Sequence, residues 1–426
     1  MFEQFFLNKL QGKVVQYLAA HPNVKVIAVT GSIGKSTTSR ALAQVFSQAM
    51  RVRMYEKHHI DPRFVPIEVL GIELPTRPSL LDWIAALRAA SQRVRSEADV
   101  DVIIQEINTL RPGDFKAIGN YLHPDITLLT GISAEQIEAF RTIDALGQEY
   151  MNVTSISKYA LINRDEVDSK FAQLEQNSTF STYGTTGSAE YRFEIEEFSV
   201  LDGYKGNFIG PNRQPAATTV HVVGEHMLQT AVGAYAAAVL VGTTDEHIES
   251  GIAGFNPLSG RMNPLRGIEG TTIIDDTHDA RPASVAAALK TLYTTDTENV
   301  PQRIAIIGDV QNLGNLTKEE HEKLGALCDP SLLTWVVTVG HETEMYLAPA
   351  ARARGCQVHS VRNAIEAGEF VRSVTETGAM ILATGAAGLY VEEAVKILCD
   401  MSEDAELVRQ TPEMIAMKNA YFSLFA

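Results

Sequence analysis

The chain has few cysteines and no long apolar run. Cys328, Cys356 and Cys399 are its only cysteines, and they are too widely spaced for a zinc knuckle or a redox pair. No apolar run approaches the roughly 20 residues that are needed to span a bilayer. The first residues, "MFEQFFLNKLQGKVVQYLAAHPN", lack the charged start and the small-residue cleavage site of a signal peptide. The sequence therefore predicts a cytoplasmic protein with free, buried thiols.

Basic residues are scarce relative to acidic ones. The 36 lysines and arginines face 52 aspartates and glutamates, which gives a formal net charge of -16. The resulting negative field disfavours non-specific nucleic-acid binding. We therefore expect a small-molecule or peptide partner and no nucleic acid, and an anionic partner needs a local cluster of donors.

The first residues predict an amphipathic helix. Its apolar stripe consists of Phe2, Phe5, Phe6, Leu10, Val14 and Leu18. Packing of this stripe against the body of the protein is the favoured interpretation, and peripheral contact with a membrane surface is the alternative.

From residue 24 onward, short β-branched runs alternate with amphipathic stretches, which is typical of parallel α/β architecture. Buried strands are predicted at 24–30, 99–107, 125–132 and 159–166, and helices at 35–50 and 226–241. The turn-rich stretch 181–210 predicts a small antiparallel patch. With 426 residues, the chain is expected to form two or three domains.

A second alternation begins after the stretch "SGRMNPLRGIEG" (259–270), whose glycines and prolines predict a linker. Strands are predicted at 271–276, 303–309, 334–340 and 379–385. The fold class is therefore α/β, with a P-loop central domain of mostly parallel sheet followed by a smaller Rossmann-like α/β C-terminal domain. The expected boundaries are 1–22 for the N-terminal helix, 23–262 for the central domain and 263–426 for the C-terminal domain.

The run "VTGSIGKSTT" lies between a predicted buried strand and an amphipathic helix. Gly31 and Gly34 permit tight turns, so that backbone N–H groups and the helix N-terminus can point at phosphate oxygens. Lys35 adds a positive charge for the outer phosphates, and the hydroxyl of Ser36 can ligate Mg²⁺. Nucleotide binding is the favoured interpretation, and a glycine-rich turn with a chance Lys-Ser is the alternative.

Several stretches, taken together, resemble the Mur ligase family of ATP-dependent amide ligases, most of all its D-alanyl-D-alanine-adding members. They are the short loop "TGSIGKST", then "QEINTLRPGDF" (105–115), "SGRM" with "IIDDTHDARPAS" (273–284), and "IIGDVQNLG" (306–314) with "HEKLG" (321–325). Their order and spacing cover nearly the whole chain. The resemblance implies that ATP phosphorylates a carboxylate and that an amine then attacks the acyl phosphate to form an amide.

The resemblance also implies site residues, with ATP and Mg²⁺ as cofactors. Lys35 and Glu106 are the implied catalytic residues, and Ser36 and Glu106 the implied Mg²⁺ ligands. The implied nucleotide-binding residues are Thr30, Gly31, Ser32, Ile33, Gly34, Lys35, Ser36, Thr37, His226, Arg261, Asp275 and Asp276.

Each implied role has a structural alternative. Glu106 could form an ion pair at the end of its buried strand, where a lone carboxylate is costly. Asp275 and Asp276 could cap or turn the chain, and the sequence does not choose between them. His278 stands where the family usually has tyrosine and is as well explained by packing as by a ligand role. For His321, a local structural contact is favoured.

The chain departs from the family pattern at several positions. Its phosphate loop begins about thirty residues in, without sequence for the family's N-terminal UDP-holding domain, so the resemblance does not by itself imply recognition of UDP-linked substrates. Tyr150 stands at the family's carbamylated lysine and Gln136 at its histidine, with Glu138, Asp144 and Glu149 as candidate replacements for a second metal ligand. Met227 and Thr230 replace two asparagines, and Thr384 replaces the lysine of K-G-S-R.

The leading hypothesis is an ATP-dependent ligase that joins an amino acid or dipeptide to a carboxylate of a cell-wall-precursor-like substrate. One alternative is an amidating ligase that acts on a lipid-linked or other substrate without UDP. Another is a non-catalytic ATP-binding scaffold or regulator, which the lost lysines favour. A P-loop kinase outside the family is disfavoured by the second α/β domain.

Overall fold

The computed structural model describes residues 2–55, 61–75, 77–133, 137–172, 179–256, 258–295, 300–311, 313–400 and 406–425. Its contacts divide the chain into two compact units. The first comprises Met1–Glu196, Gly206–Val220 and Met227–Phe255. The second comprises Glu197–Lys205, His221–His226 and Asn256–Ala426. The domain boundaries expected from the sequence stay predictions.

The strands alternate with helices along most of the chain. The strands are β1 (Lys25–Thr30), β2 (Val52–Met54), β3 (Val102–Glu106), β4 (Ile126–Leu129), β5 (Tyr159–Asn163), β6 (Thr179–Gly184), β7 (Tyr191–Ser199), β8 (Gly203–Ile209), β9 (Ala216–Val220), β10 (Asn263–Arg266), β11 (Thr272–Asp276), β12 (Arg303–Gly308), β13 (Trp335–Val339), β14 (Val358–Val361) and β15 (Met380–Thr384). The helices are α1 (Phe2–Ala20), α2 (Lys35–Phe46), α3 (Val65–Val69), α4 (Leu80–Arg95), α5 (Asp114–Gly119), α6 (Ile137–Phe140), α7 (Ile143–Ile156), α8 (Ser169–Ala172), α9 (Glu225–Val241), α10 (Asp245–Ala253), α11 (Pro282–Thr294), α12 (Thr317–Leu327), α13 (Ala348–Ala353), α14 (Ala364–Val374), α15 (Glu392–Leu398) and α16 (Pro412–Phe422).

The first sheet has nine strands in the order β2-β3-β1-β4-β5-β6-β7-β8-β9. Its central strand β1 pairs in parallel with β3 and β4 and is buried along nearly its whole length. Helices α1, α3, α4, α5 and α7 cover one face, in one apolar cluster with Val26, Ala28 and Ile103. Such all-round burial explains why these strands read as continuous apolar runs in the sequence.

The turn-rich stretch 181–210 does not form a separate antiparallel patch. Strand β6 pairs in parallel with β5, and the first residues of β7 pair in parallel with β6. These strands extend the main sheet, so the prediction of an antiparallel patch is wrong for β6. The burial pattern of β6 and β7 is irregular, and a local pattern of this kind does not encode the direction of pairing.

Helix α1 packs against the body of the protein, as the favoured interpretation of its stripe predicted. Phe6, Leu7, Leu10, Val14 and Tyr17 are buried in the same cluster as the sheet residues. Phe2 and Phe5 belong to the predicted stripe as well, yet they are 47% and 57% exposed. The stripe is therefore buried along its middle and exposed at its first turn.

The second sheet has six strands in the order β10-β11-β15-β12-β13-β14. The four predicted strands pair in parallel as β11-β15-β12-β13, which confirms this part of the second α/β alternation. The predicted linker is wrong in part, because β10 pairs antiparallel with β11 at the edge of the sheet. Pro264 is compatible with an edge strand, where one side of the backbone has no ladder partner.

Within the residues described, no helix combines the length and the apolar composition that crossing a membrane requires. The three cysteines are buried free thiols.

Candidate active site

The phosphate loop connects β1 to α2 through two glycines in left-handed conformations. Gly31 has φ 134° and Gly34 has φ 79°, values that side-chain-bearing residues rarely adopt. A Cβ on Gly31 would lie 2.3 Å from Oγ1 of Thr130 and 2.9 Å from the backbone nitrogen of Gly131. Only glycine therefore fits where the loop passes the end of β4.

Helix α2 begins at Lys35 without a side-chain cap, because its N-cap residue is Gly34. The first N–H groups of a helix have no partner within the helix, and they carry a partial positive charge. An anion can therefore bind at this end of α2. Thr37, Thr38 and Ser39 follow on the buried side of the same helix.

The loop is held to its neighbours by polar contacts on both sides. The backbone nitrogen of Ser32 donates to the carbonyl oxygen of Gly131 at 2.9 Å, and its hydroxyl accepts from the backbone nitrogen of Ser133 at 2.8 Å. Thr30 donates its hydroxyl hydrogen to the carbonyl oxygen of Ile107 at 2.8 Å. These contacts fix the loop before any ligand binds.

Ser36 and Glu106 meet beside the loop, as the two implied metal ligands should. Ser36 Oγ donates to Oε2 of Glu106 at 3.0 Å. The parallel pairing of Val29 with Glu106 sets this contact, because it brings the last residue of β3 level with the start of the loop. Glu106 is buried, so its charge acts in a medium of low dielectric constant.

The side chain of Lys35 folds back onto the phosphate loop. Its Nζ donates to the carbonyl oxygen of Gly31 at 2.5 Å and to that of Ser32 at 3.4 Å. The ammonium group is thus already at the place where phosphate oxygens would enter the loop.

Behind Glu106 lies a polar contact that the sequence did not reveal. Gln105 donates from Nε2 to Oε2 of Glu68 at 2.5 Å and to the backbone oxygen of Glu106 at 2.7 Å. Glu68 lies in the short helix α3 and is buried. Gln105 and Glu68 position the end of β3. They are 37 residues apart in the sequence, so no local sequence motif indicates their contact.

The candidate replacements for a second metal ligand have other partners. Glu149 accepts from the backbone nitrogens of Gly113 and Phe115, both at 3.0 Å, and thereby caps the N-terminus of α5. Asp144 is exposed and pairs with Lys170 at 2.6 Å. Gln136 and the side chain of Glu138 lie outside the described residues.

Tyr150, at the position of the family lysine, is buried with its ring 6.0 Å from that of Phe115. Among the described residues, no group of three or more His, Cys, Asp or Glu side chains is placed to hold a metal ion.

In the second compact unit, the turn around Arg261 packs against the loop after β11. Arg261 Nη2 and His278 Nδ1 are 3.1 Å apart, and the backbone nitrogen of Met262 donates to Oδ1 of Asp276 at 3.3 Å. A Cβ on Gly260 would lie 2.8 Å from the backbone nitrogen of His278. The structure thus brings "SGRM" and "DDTHD" together, and His278 has a local contact of the kind that the packing alternative predicted.

Asp275 and Asp276 differ in their surroundings. Oδ1 of Asp275 accepts from the backbone nitrogen and the hydroxyl of Thr277, at 3.2 and 2.6 Å, a local turn contact. Burial raises the pKa of Asp275 to about 6. Burial also raises the pKa of Asp276 to about 8, although the guanidinium of Arg261 opposes the shift.

The loop after β11 is also held by a distant arginine that the sequence did not indicate. Arg409 donates to the backbone oxygens of Thr277 and His278 at 2.6 and 2.9 Å, and its guanidinium pairs with Glu392 at 2.5 Å. Lys418 of α16 approaches the same carboxylate at 2.9 Å. Glu392 and Lys418 are buried, and their separation of more than twenty residues gave no spacing signal.

The surroundings of His226, Thr230 and His321 can be described within their own elements. Burial lowers the pKa of His226 to about 4, with a further contribution from the charge of Lys290, so the imidazole is neutral at pH 7. Thr230 donates its hydroxyl hydrogen to the backbone oxygen of Met227 within α9. His321 accepts from the backbone nitrogen of Val310 at 3.1 Å, a contact of the local kind that was favoured for it.

Comparison with known proteins places this geometry in one family. Residues 29–238 match the Mur ligase middle domain, and residues 260–387 match the Mur ligase glutamate ligase domain. UDP-N-acetylmuramoyl-tripeptide--D-alanyl-D-alanine ligase of Bacillus subtilis is 22% identical over 385 residues, which are 88% of this chain and 76% of that protein.

Two solved structures have a similar fold. The crystal structure of MurF from Acinetobacter baumannii aligns with a TM-score of 0.70 at 20% identity, over 90% of this chain and 78% of that one. MurF from Thermotoga maritima in complex with ADP aligns with a TM-score of 0.69 at 17% identity, over 92% of this chain and 83% of that one. With two family domains matched in order over most of its length, the chain belongs to the Mur ligase family.

Proposed function

We propose that this protein is an ATP-dependent ligase that forms a C–N bond by way of an acyl phosphate. In this proposal it joins an amino acid or dipeptide to a carboxylate of a cell-wall-precursor-like substrate in the cytoplasm. Relatives named as ligases of UDP-N-acetylmuramoyl peptides support the reaction class and a place in peptidoglycan synthesis.

The observation that carries the proposal is the contact between Ser36 Oγ and Glu106 Oε2 at 3.0 Å, beside the uncapped start of α2. Mg²⁺ in nucleotide enzymes is commonly held by one or two protein oxygens together with phosphate oxygens and water. The hydroxyl of Ser36 and the carboxylate of Glu106 are such a pair, so these residues fit one Mg²⁺ with a bound triphosphate.

The chain's own groups would act mainly by positioning and by charge. Backbone N–H groups at the start of α2 would orient the phosphates, and Lys35 would offset the negative charge that develops during phosphoryl transfer. The substrate carboxylate would take the terminal phosphoryl group, with loss of ADP. An amine would then displace phosphate to form the amide. Mg²⁺, when bound, would neutralise phosphate charge next to Glu106.

Four residues of the second unit stay proposed nucleotide-binding residues, because the resemblance alone supports them: His226, Arg261, Asp275 and Asp276. Both aspartates remain candidates for this role, because each uses one oxygen in a local hydrogen bond: Asp275 accepts from Thr277, and Asp276 accepts from the backbone nitrogen of Met262.

A second candidate function is ATP binding without ligation. The observation that favours it is the surroundings of Tyr150, where Glu149 caps α5 and Asp144 pairs with Lys170. If two metals are needed for acyl transfer, this chain would bind the nucleotide and act as a scaffold or regulator.

The test is substrate-stimulated phosphate release from ATP and Mg²⁺, with mass spectrometry of the products. The panel contains UDP-linked peptides, lipid-linked peptides and free peptides as acceptors, each with amino acids, dipeptides or ammonia as the amine. Lys35→Ala should abolish release. Lys25→Ala is the matched control, because Lys25 is exposed at the start of β1, the strand whose other end leads into the phosphate loop, and its loss should leave release unchanged.

Stimulated release with a ligated product would support the ligase. The acceptor that gives the product would show whether the enzyme uses UDP-linked, lipid-linked or free peptides. The second candidate function would be supported by two results together: the unaltered chain binds ATP and Lys35→Ala does not, and no combination of acceptor and amine stimulates ATP turnover.

A further inference from the structure

The first turns of α1 and α4 expose a cluster of large apolar side chains. Phe2 is 47% exposed, Phe5 57%, Leu80 51% and Leu81 74%. Phe6 and Trp83 lie beneath them with ring centroids 5.8 Å apart, and the rings of Phe2 and Phe5 pack on Phe6 with one side while the rest faces solvent. A cluster of exposed aromatic and aliphatic groups on a folded surface is a common mark of an interaction site.

Two contacts show that the four residues lie at the same end of a helix pair. Phe6 meets Trp83 near the beginnings of α1 and α4. His21, directly after α1, places its Nε2 2.8 Å from the backbone oxygen of Ser96, directly after α4. The helices therefore run parallel, and both exposed first turns lie at one edge of the first unit.

Basic side chains follow on the exposed surfaces of both helices. Lys9 lies 5.6 Å from the centre of the Phe5 ring, and Arg88 and Arg95 are exposed on α4. No ion pair engages these three side chains within the residues that the structure describes. A groove of about 670 Å³ runs along α4, and its lining includes Ile84, Leu87, Arg88 and Arg95.

The carboxylates at this end have partners of their own. Glu3 lies 3.8 Å from the guanidinium of Arg63. Asp82 accepts from the backbone nitrogen of Ser79 at 2.7 Å and completes the capping box of α4. Lys9 and Arg88 therefore leave positive charge near this end, and Arg95 lies at the far end of α4, in a chain whose net charge is -16.

We infer that this edge of the α1–α4 pair docks on an anionic lipid surface. Phe2, Phe5, Leu80 and Leu81 would enter the boundary between headgroups and acyl chains, while Lys9 and Arg88 meet the anionic headgroups. A second copy of the chain is the weaker occupant. A two-fold interface on this surface would bring Lys9 and Arg88 towards the same positive charges of the second copy.

The inference is independent of the proposed function, because binding is measured without ATP or acceptor. The full chain is sedimented with vesicles of phosphatidylcholine alone and with vesicles that also contain phosphatidylglycerol. Binding is expected only to the anionic vesicles, and added salt should weaken it. The total charge of the chain alone would predict repulsion from these vesicles, so binding would require a local surface.

Two double variants test the surface. Phe5→Ser with Leu81→Ser removes apolar contacts, and Lys9→Glu with Arg88→Glu reverses two charges. Each should weaken vesicle binding by about tenfold or more. The matched control is Leu201→Ser with Leu424→Ser, two exposed apolar residues of the second unit that belong to neither helix, and it should bind like the unaltered chain. All substituted residues are exposed, and thermal unfolding would verify that each variant is folded.

Three results would overturn the inference. The unaltered chain could fail to sediment with anionic vesicles. The control pair could lose binding as much as the test pairs. The chain could elute as a dimer that Phe5→Ser with Leu81→Ser converts to a monomer, which would assign the surface to a second copy.

Discussion

Ser36 Oγ lies 3.0 Å from Oε2 of Glu106, two side chains separated by 70 residues in sequence. The contact joins the first turn of α2 to the end of β3, and parallel strand pairing sets it. It places a hydroxyl and a carboxylate beside a helix N-terminus, which is the arrangement that a magnesium-bound phosphate requires.

We therefore expect Ser36→Ala and Glu106→Gln to raise the Mg²⁺ concentration needed for half-maximal phosphate release. Maximal release should fall on the order of 100-fold, as when a group that stabilises charge in the transition state is removed. The measurement is a magnesium titration of ATP turnover. Ser36→Thr keeps the hydroxyl and should retain most of the activity.

Ser39 offers the matched control on the same helix. Its hydroxyl is buried without a hydrogen-bond partner among the described residues, so Ser39→Ala should leave the magnesium dependence unchanged. An unchanged titration in Glu106→Gln would remove Glu106 from the proposed metal site.

Gly31→Ala should abolish ATP binding and lower the free energy of unfolding by roughly 2 kcal/mol or more. The added methyl group would lie 2.3 Å from Oγ1 of Thr130, at a φ of 134°. Gly12→Ala is the matched control in α1, where nothing lies within 4 Å of the added carbon. That substitution should stabilise the chain by about 0.5–1 kcal/mol, since alanine favours a helix over glycine.

Chemical denaturation and nucleotide titration of both glycine variants give the comparison. Retention of ATP affinity by Gly31→Ala would show that the loop does not need its observed conformation.

The phosphate loop could be predicted from sequence because all its determinants are local. Gly31, Gly34, Lys35 and Ser36 follow one another between a buried strand and a helix, and each residue type has a direct physical reason. The inner strands β1, β3, β4 and β5 of the first sheet and β11, β12, β13 and β15 of the second were predicted for a similar reason, since burial on two faces makes each of them a continuous apolar run.

The errors arose where the structure depends on distant partners. Strand β10 contains Pro264 and lies at a sheet edge, so its sequence resembles a linker until β11 pairs with it. Arg409 reaches Thr277 and His278 from 131 residues or more away. Neither the β10–β11 pairing nor the contacts of Arg409 produce a hydrophobic periodicity or a motif in the sequence.

Glu149→Ala should destabilise the protein by about 1–3 kcal/mol without changing its magnesium requirement. The substitution leaves the backbone N–H groups of Gly113 and Phe115 without their acceptor. Asp144→Ala is the matched control in the same helix, and the loss of its exposed, solvent-screened ion pair with Lys170 should change stability much less.

Urea denaturation and a magnesium titration separate the two roles of Glu149. A stable Glu149→Ala variant with a raised magnesium requirement would instead make Glu149 a metal ligand.

Asp276→Asn should become more stable relative to the unaltered chain as the pH rises from about 6 to about 8. Burial raises the pKa of Asp276 to about 8 in the folded protein, from an ordinary value of 3.8. Between these values the unfolded chain has lost the proton and the folded protein retains it. The stability of the unaltered chain therefore falls as the pH rises, by at most about 1.4 kcal/mol per pH unit from this group.

The window between pH 6 and pH 8 isolates Asp276, because burial raises the pKa of Asp275 only to about 6. The measurement is the free energy of unfolding of both proteins, without nucleotide, across that window. Asp329→Asn is the control: hydrogen bonds from Ser331 lower the pKa of Asp329, so its contribution is lost only in acid and stays constant from pH 6 to pH 8. A difference between Asp276→Asn and the unaltered chain that stays flat from pH 6 to pH 8 would mean that Asp276 is already ionised in the fold. Arg261 would then offset the cost of burying the charge.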